Sequence, residues 1–260
     1  MQKEEIKFAE STVFEGMTSI RAIIRGNEAN INDRRLEKIL FDKSKLKKIG
    51  KDLGYLRAIS EDRGFIIEES SADELDKLTL GSSHGGLIAI AGKRSLPSLT
   101  SNAISKDGFY AMIDGIEDPY NFGYSVRSLY AMGCTGLILP ERNWMSAAGV
   151  VCRSSAGSSE QIPIFVSDPE MAATVFAELG YSIVCADERT DNVLGTCEMK
   201  LPLLLIVGGE KRGISRGVLD KASLLVKIEY QREFRASLSA ASAATMFAYE
   251  IARQNNIKHS

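Results

Sequence analysis

The sequence predicts an α/β protein built as two domains, and three observations lead there. Short apolar runs alternate with segments of helical periodicity along the 260 residues, as when strands and helices take turns. The stretch Ser95–Ser105 (SLPSLTSNAIS) is rich in Ser, carries a Pro and has no helical period, so it reads as a linker. The runs beyond it are short and apolar throughout, the pattern of a mostly parallel sheet covered on both faces. We therefore expect a small α/β domain over residues 1–95, a linker over 96–105 and a second domain over 106–260.

In the first part, Lys3–Phe14 reads as a leading helix and Ser19–Arg25 as a second. Arg35–Phe41 (RLEKILF) reads as a strand. Leu46, Ile49, Leu53, Leu56 and Ile59 fall at helical spacing and predict an amphipathic helix over Leu46–Ser60. Phe65–Ile67 is a short strand, Ala72–Leu78 a helix capped by Ser71, and Gly86–Ala91 (GLIAIA) a buried strand. In the second part, strands are expected over Gly108–Ile113, Gly136–Leu139, Ser182–Cys185, Leu203–Val207 and Leu224–Ile228. Helices are expected over Phe122–Met132, Pro169–Leu179 and Ser237–Arg253. In such a sheet, ligands sit beyond the carboxyl ends of the strands.

Composition excludes several classes. With 44% hydrophobic and 25% charged residues, the chain is neither disordered nor fibrous. Its opening, MQKEEIKFAE, is too charged for a secretory signal, and its longest apolar runs are far shorter than the ~20 residues that span a bilayer. Cys134, Cys152, Cys185 and Cys197 form no C-x-x-C pair and only two histidines are present, which speaks against a metal site and for buried thiols in a reducing cytoplasm. A Ser-His-Asp hydrolase would have to use His84 or His259. The net charge is −2, yet Arg34–Lys51 carries six more positive than negative charges, including Arg34, Arg35, Lys45, Lys47 and Lys48. That run fits either a solvated face or a patch for phosphate backbones.

Three stretches concentrate chemistry, each after a strand. In Asp114–Arg127 (DGIEDPYNFGYSVR), Asn121 can cap the next helix, and Arg127 sets a permanent cation near a strand end. In Leu203–Gly217, Gly208 and Gly209 allow a ligand close to the backbone, and Glu210 follows as an isolated acid. In Tyr230–Ala244, Ser237, Ser239 and Ser242 open a helix of small residues.

Together these resemble the SpoU (TrmH-like) class of RNA 2′-O-ribose methyltransferases. The pattern N-x-G-x-x-x-R appears as Asn121-Phe-Gly123-x-x-x-Arg127. V-G-x-E-x-x-G appears as Val207-Gly208-Gly209-Glu210-x-x-Gly213-Ile214, and S-L-N as Ser237-Leu238-Ser239. The first part resembles the L30e-like substrate-binding domain of many members, including His84-Gly85-Gly86 where H-Q-G is common. The resemblance implies a trefoil knot of the SPOUT type in the second domain, bound S-adenosylmethionine and a homodimer. It implies a cofactor site from Val207, Gly208, Gly209, Glu210, Gly213, Ile214, Ile228, Leu238 and Ser239, and a catalytic set of Asn121, Arg127, Glu210 and Ser237. The sequence departs from the family in Ser239, and in Ile228-Glu-Tyr-Gln-Arg-Glu-Phe where I-P-M-x-G is usual.

The implied reaction is methylation of RNA, with 23S rRNA favoured and tRNA the alternative. A ribose hydroxyl is a poor nucleophile near neutral pH, so its proton must leave or its developing charge be stabilised. A guanidinium keeps its proton in proteins, so Arg127 is expected to hold an oxyanion or phosphate, with Ser237 orienting the nucleophile. A non-catalytic RNA-binding protein on the same scaffold is the competing reading. A nucleotide-dependent dehydrogenase ranks last, because no glycine fingerprint is present.

Overall fold

The computed structural model describes residues 12–79, 84–116, 118–140, 147–209, 213–234 and 236–256. Among them the chain begins β1 (Val13–Glu15), α1 (Gly16–Glu28), β2 (Leu36–Asp42), α2 (Leu46–Arg63), β3 (Ile66–Ser70), α3 (Ala72–Leu78) and β4 (Leu87–Ala91). It continues with β5 (Phe109–Asp114), α4 (Pro119–Ala131), β6 (Gly136–Leu139), α5 (Ala148–Ser154), β7 (Ile164–Val166) and α6 (Pro169–Glu178). β8 (Ser182–Ala186), β9 (Leu203–Gly208), α7 (Arg216–Leu219), β10 (Leu224–Val226) and α8 (Ala240–Asn255) complete it. The fold is α/β. Two compact units result: Met1–Ser95 with Asn143–Gln161, and Leu96–Arg142 with Ile162–Ser260.

The first unit has a mixed sheet of order β1-β4-β2-β3, parallel only between β2 and β3. Its core joins Phe14, Ile20, Ile23, Ile39, Leu53 and Leu56 to Cys152 of α5. The periodicity of α2 is realised at Ile49, Leu53 and Leu56, which are buried, whereas Ile59 is half-buried and Leu46, in the first turn, is exposed; Gly64 ends the helix in the left-handed conformation at φ 69°. Ser71 caps α3 through a full capping box with Glu74. The expected leading helix over Lys3–Phe14 lies mostly outside the described residues, and its end is strand. Phe14 is fully buried in β1 against β4, so tertiary pairing outweighs local propensity there.

The helix α5 was not expected, nor was its place. Arg34, at 2% exposure, donates from Nε to Glu160 Oε2 at 3.0 Å and from Nη1 to Gly92 O at 2.6 Å. Arg94 Nη1 donates to Ser159 O at 2.6 Å, and Asn32 Nδ2 to Glu160 O at 2.7 Å. A buried polar cluster thus fastens the stretch around Ser159 and Glu160 into the first unit, where the linker reading assigned it to the second domain.

The second unit has an all-parallel sheet of order β10-β8-β9-β5-β6-β7. One face packs Tyr110, Met112, Ile183, Leu204 and Ile206 against Ala172 and Phe176 of α6 and Val218 of α7. α4 and α8 pack on each other, and α8 on β9. The Ser-rich stretch before β5 is tied down rather than free. Leu99 N donates to Val166 O and Val166 N to Pro97 O, both at 2.9 Å, while Ser105 N donates to Tyr110 Oη at 3.0 Å. Tyr181 holds it as well, donating from Oη to Ser105 O.

Candidate functional site

Every strand of the parallel sheet ends on the same edge, so all three motifs arrive there. The strand order reverses between β9 and β5, the place where doubly wound sheets open a crevice for ligands. The first motif follows β5 and the second follows β9, so they flank that point, and Asp114 is in register with Gly208. The third motif follows β10, two strands away.

The glycines of the second motif meet the chain itself. A Cβ on Gly209 would overlap the backbone of Gly115, which lies at φ 81° just past β5. A Cβ on Gly208 would stand 2.5 Å from the carbonyl carbon of Gly213, whose N–H donates to Gly209 O at 2.9 Å. Two neighbouring strand ends therefore approach backbone to backbone, and only glycine permits it. Gly213, at φ 62°, has no atom within 4 Å of its missing Cβ and is exposed. Gly115 was missed by sequence reasoning; its signal was an Asp-Gly step at the end of a predicted strand.

The other predicted residues fall as follows. Asn121 is the third residue inside α4, not its cap. Asp118 caps, taking the Asn121 N–H at 2.8 Å, because Pro119 occupies the first helical position. Arg127 is exposed on α4 and has no ion pair among the described residues. Ser237 is exposed, and α8 begins three residues later than expected, with Ser239 as its cap accepting from Ser242 N at 3.2 Å. Tyr230, also missed, takes the Leu238 N–H on its hydroxyl at 3.1 Å and stacks edgewise on Phe234. Val207 and Ile214 are buried and Ile228 half-buried. Glu210 lies outside the described residues. No hydrogen bond joins Arg127 to Asn121 or Ser237 among the described residues.

In the first unit, Arg34 cannot meet a polyanion, because it is buried against Glu160 with its guanidinium 4.6 Å from the Phe14 ring. Arg35, Lys47 and Lys48 are exposed, and Lys45 leans on Asp42 at 3.7 Å. His84, 1% exposed, sits 3.0 Å from Asp76 Oδ1 and accepts the Gly86 N–H on Nδ1, which makes it a packing element. No helix among the described residues is long and apolar enough to cross a membrane.

A parallel α/β domain with three motif loops gathered at its carboxyl edge, two of them at the switch point, is the frame of a ligand-binding α/β enzyme. The SpoU rRNA methylase family model matches residues 108–249, and the chain belongs to that family of RNA methyltransferases. YacO of Bacillus subtilis, provisionally named a TrmH family tRNA/rRNA methyltransferase, is 26% identical over 86% of this chain and 91% of its own. A tRNA/rRNA methyltransferase of Mycolicibacterium smegmatis, itself uncharacterised, is 32% identical over 75% of this chain and 64% of its own. Among solved structures, an RNA 2′-O ribose methyltransferase superposes with a TM-score of 0.77 at 20% identity, covering 97% of this chain and 95% of that one. AviRb from Streptomyces viridochromogenes, solved with AdoMet, superposes at 0.75 and 20% identity, covering 96% and 97%. At that identity these likenesses speak to the fold.

Proposed function

We propose that the protein methylates the ribose 2′-hydroxyl of RNA with S-adenosylmethionine, in the cytoplasm, and that 23S rRNA is its substrate in preference to tRNA. The observation that carries this reading is the meeting of the first two motifs at the switch point, inside the family-matched region. The residues there suit the cofactor. Apolar Val207, Ile214, Ile228 and Leu238 can wall an adenine, and the exposed Gly213, with no atom within 4 Å of a Cβ, leaves room for a nucleoside beside the loop. When bound, the cofactor supplies an electrophilic methyl group on a sulfonium.

The chain's own residues then act on the ribose. Arg127 binds the 2′-oxygen or its neighbouring phosphate and stabilises the charge that grows as the hydroxyl proton leaves to water. Ser237 orients the nucleophile, and Asn121 and Glu210 fix the loops around it. A trefoil knot in the second unit is supported by the family match over residues 108–249. Exposed Tyr124 of α4 with Met246 and Tyr249 of α8 supports a homodimer through the second unit, and the first unit serves as an L30e-like RNA-binding module.

The test is incubation with methyl-labelled S-adenosylmethionine and separate rRNA and tRNA, followed by alkaline hydrolysis. Label in alkali-resistant dinucleotides from rRNA is expected. Label in base-modified mononucleotides overturns the 2′-O assignment, and label confined to tRNA overturns the substrate. Ser239 stands where the family has Asn and spends its hydroxyl capping α8, which favours the non-catalytic alternative. Cofactor binding by calorimetry separates the two: micromolar affinity supports the enzyme, and none at millimolar cofactor supports the binder.

A further inference from the structure

We propose that the outer face of α2 holds the RNA backbone, and that Gly50 and Gly54 let the strand lie directly against the helix. The proposal rests on RNA being the substrate. Opposite the buried Ile49, Leu53 and Leu56, the helix exposes Lys47, Gly50, Lys51, Gly54 and Ala58 along one face, with Lys48 and Tyr55 beside it. Lys47, Lys48 and Lys51 have no ion pair among the described residues. The other lysines of the basic run do: Lys38 with Glu68 at 2.9 Å, Lys43 with Glu69 at 3.0 Å and Lys45 with Asp42 at 3.7 Å. The nearby Asp52 is engaged by Arg21 at 2.8 Å, and that guanidinium also lies 5.7 Å from the Tyr55 ring.

These residues oppose the helix that carries them. Lysines crowd its amino end, where the macrodipole is already positive, and Glu61 and Asp62 stand at its negative end. Gly50 and Gly54 lie in its interior with no atom within 4 Å of a Cβ at either, so packing does not require them, and neither has a positive φ. Local choices that all weaken an element point to a use outside the fold. What they build in common is a smooth, shallow and strongly positive strip. Lys47 and Lys51 stand four residues apart, about 6 Å along the axis, close to the phosphate-to-phosphate step of a nucleic acid strand. Cations repeated at this spacing match the evenly repeated charges of a phosphodiester chain, and contacts of that kind position a backbone without reading base edges.

The experiment uses the full-length protein and a fluorescein-labelled RNA hairpin, with polarisation measured from low to high KCl. K47A/K51A should weaken binding and lower the salt slope by about 1.4 to 1.8. K43A, whose lysine is occupied by Glu69, should bind as the parent does. G50A/G54A should raise Tm by roughly 2–4 °C per substitution and yet weaken hairpin binding several-fold. A bare face would give the same gain in Tm with binding unchanged, and that result overturns the proposal. An unchanged slope in K47A/K51A also overturns it and leaves an acidic protein as the partner of this face. If the parent methylates RNA but does not bind the hairpin, the strip is not the RNA site, while the enzymatic reading stands. If it does neither, both fall.

Discussion

Arg127 projects from α4 with no ion pair among the described residues, so replacing it should separate chemistry from binding. Arg127→Ala is expected to leave cofactor affinity intact. It should lower the single-turnover rate at saturating RNA by roughly 10²–10³, on the order of 2–4 kcal/mol of transition-state stabilisation. A full rate in that assay removes Arg127 from the reaction. The thiols make the opposite case, groups held out of chemistry. Burial pushes Cys134 and Cys185 up to about 12 and Cys152 higher still, and Cys197, half-buried, is raised as well. In a native titration with Ellman's reagent, Cys197 should react first and slowly, and four thiols should appear only in denaturant. Fast reaction of more than one native thiol contradicts this packing. Residue identities of this kind were legible where a motif names them. Their partners were not: that Asp118 and not Asn121 caps α4, or that Arg34 is buried, follows from groups distant in the fold or one turn away.

At the scale of elements, the segment Asn143–Gln161 is the part least available to sequence reasoning. Its helix α5 has no side-chain cap, and its partners Val13, Arg34 and Arg94 lie far away in the chain. By contrast, α2 and α3 were legible, because a 3.6-residue period and a Ser71–Glu74 box are local signals. Glu160→Ala leaves the Arg34 guanidinium buried without its carboxylate, a change that costs about 3–5 kcal/mol. Guanidinium unfolding of the full chain should show that loss, and a shift within experimental error would mean the pair is dispensable. A fragment of residues 1–95 should be poorly folded for the same reason, since it lacks Cys152 and Ala148 from its core. A sharp, cooperative melt of that fragment would contradict this.

For the whole molecule, the alternation of strands and helices made the parallel sheet legible, whereas its strand order was not. Nothing local says that β9 inserts between β8 and β5, yet that insertion is what brings the first two motifs together. The exposed apolar residues of α4 and α8 belong to this scale too. Met246 at 43% and Tyr249 at 60% exposure follow one helical face of α8, beside Thr245, whose hydroxyl lies 2.6 Å from Ser128 Oγ on α4. Tyr249→Glu is expected to convert a dimer into a monomer in light scattering after gel filtration, because a desolvated carboxylate opposes a self-complementary contact. A parent protein that is already monomeric overturns the homodimer, and a variant that stays dimeric places the interface elsewhere.

The close approach of Gly115 and Gly209 has a consequence for how descendants of such a chain would drift. Those glycines answer to a backbone passing within van der Waals reach, a demand that persists whether or not a methyl group is ever transferred. A lineage that abandoned its chemistry would keep that demand on the glycine pair whatever became of the side chains proposed to act on the ribose. Inheritance of the pair therefore records ancestry of the fold, and the record of a living activity is written in the side chains around it.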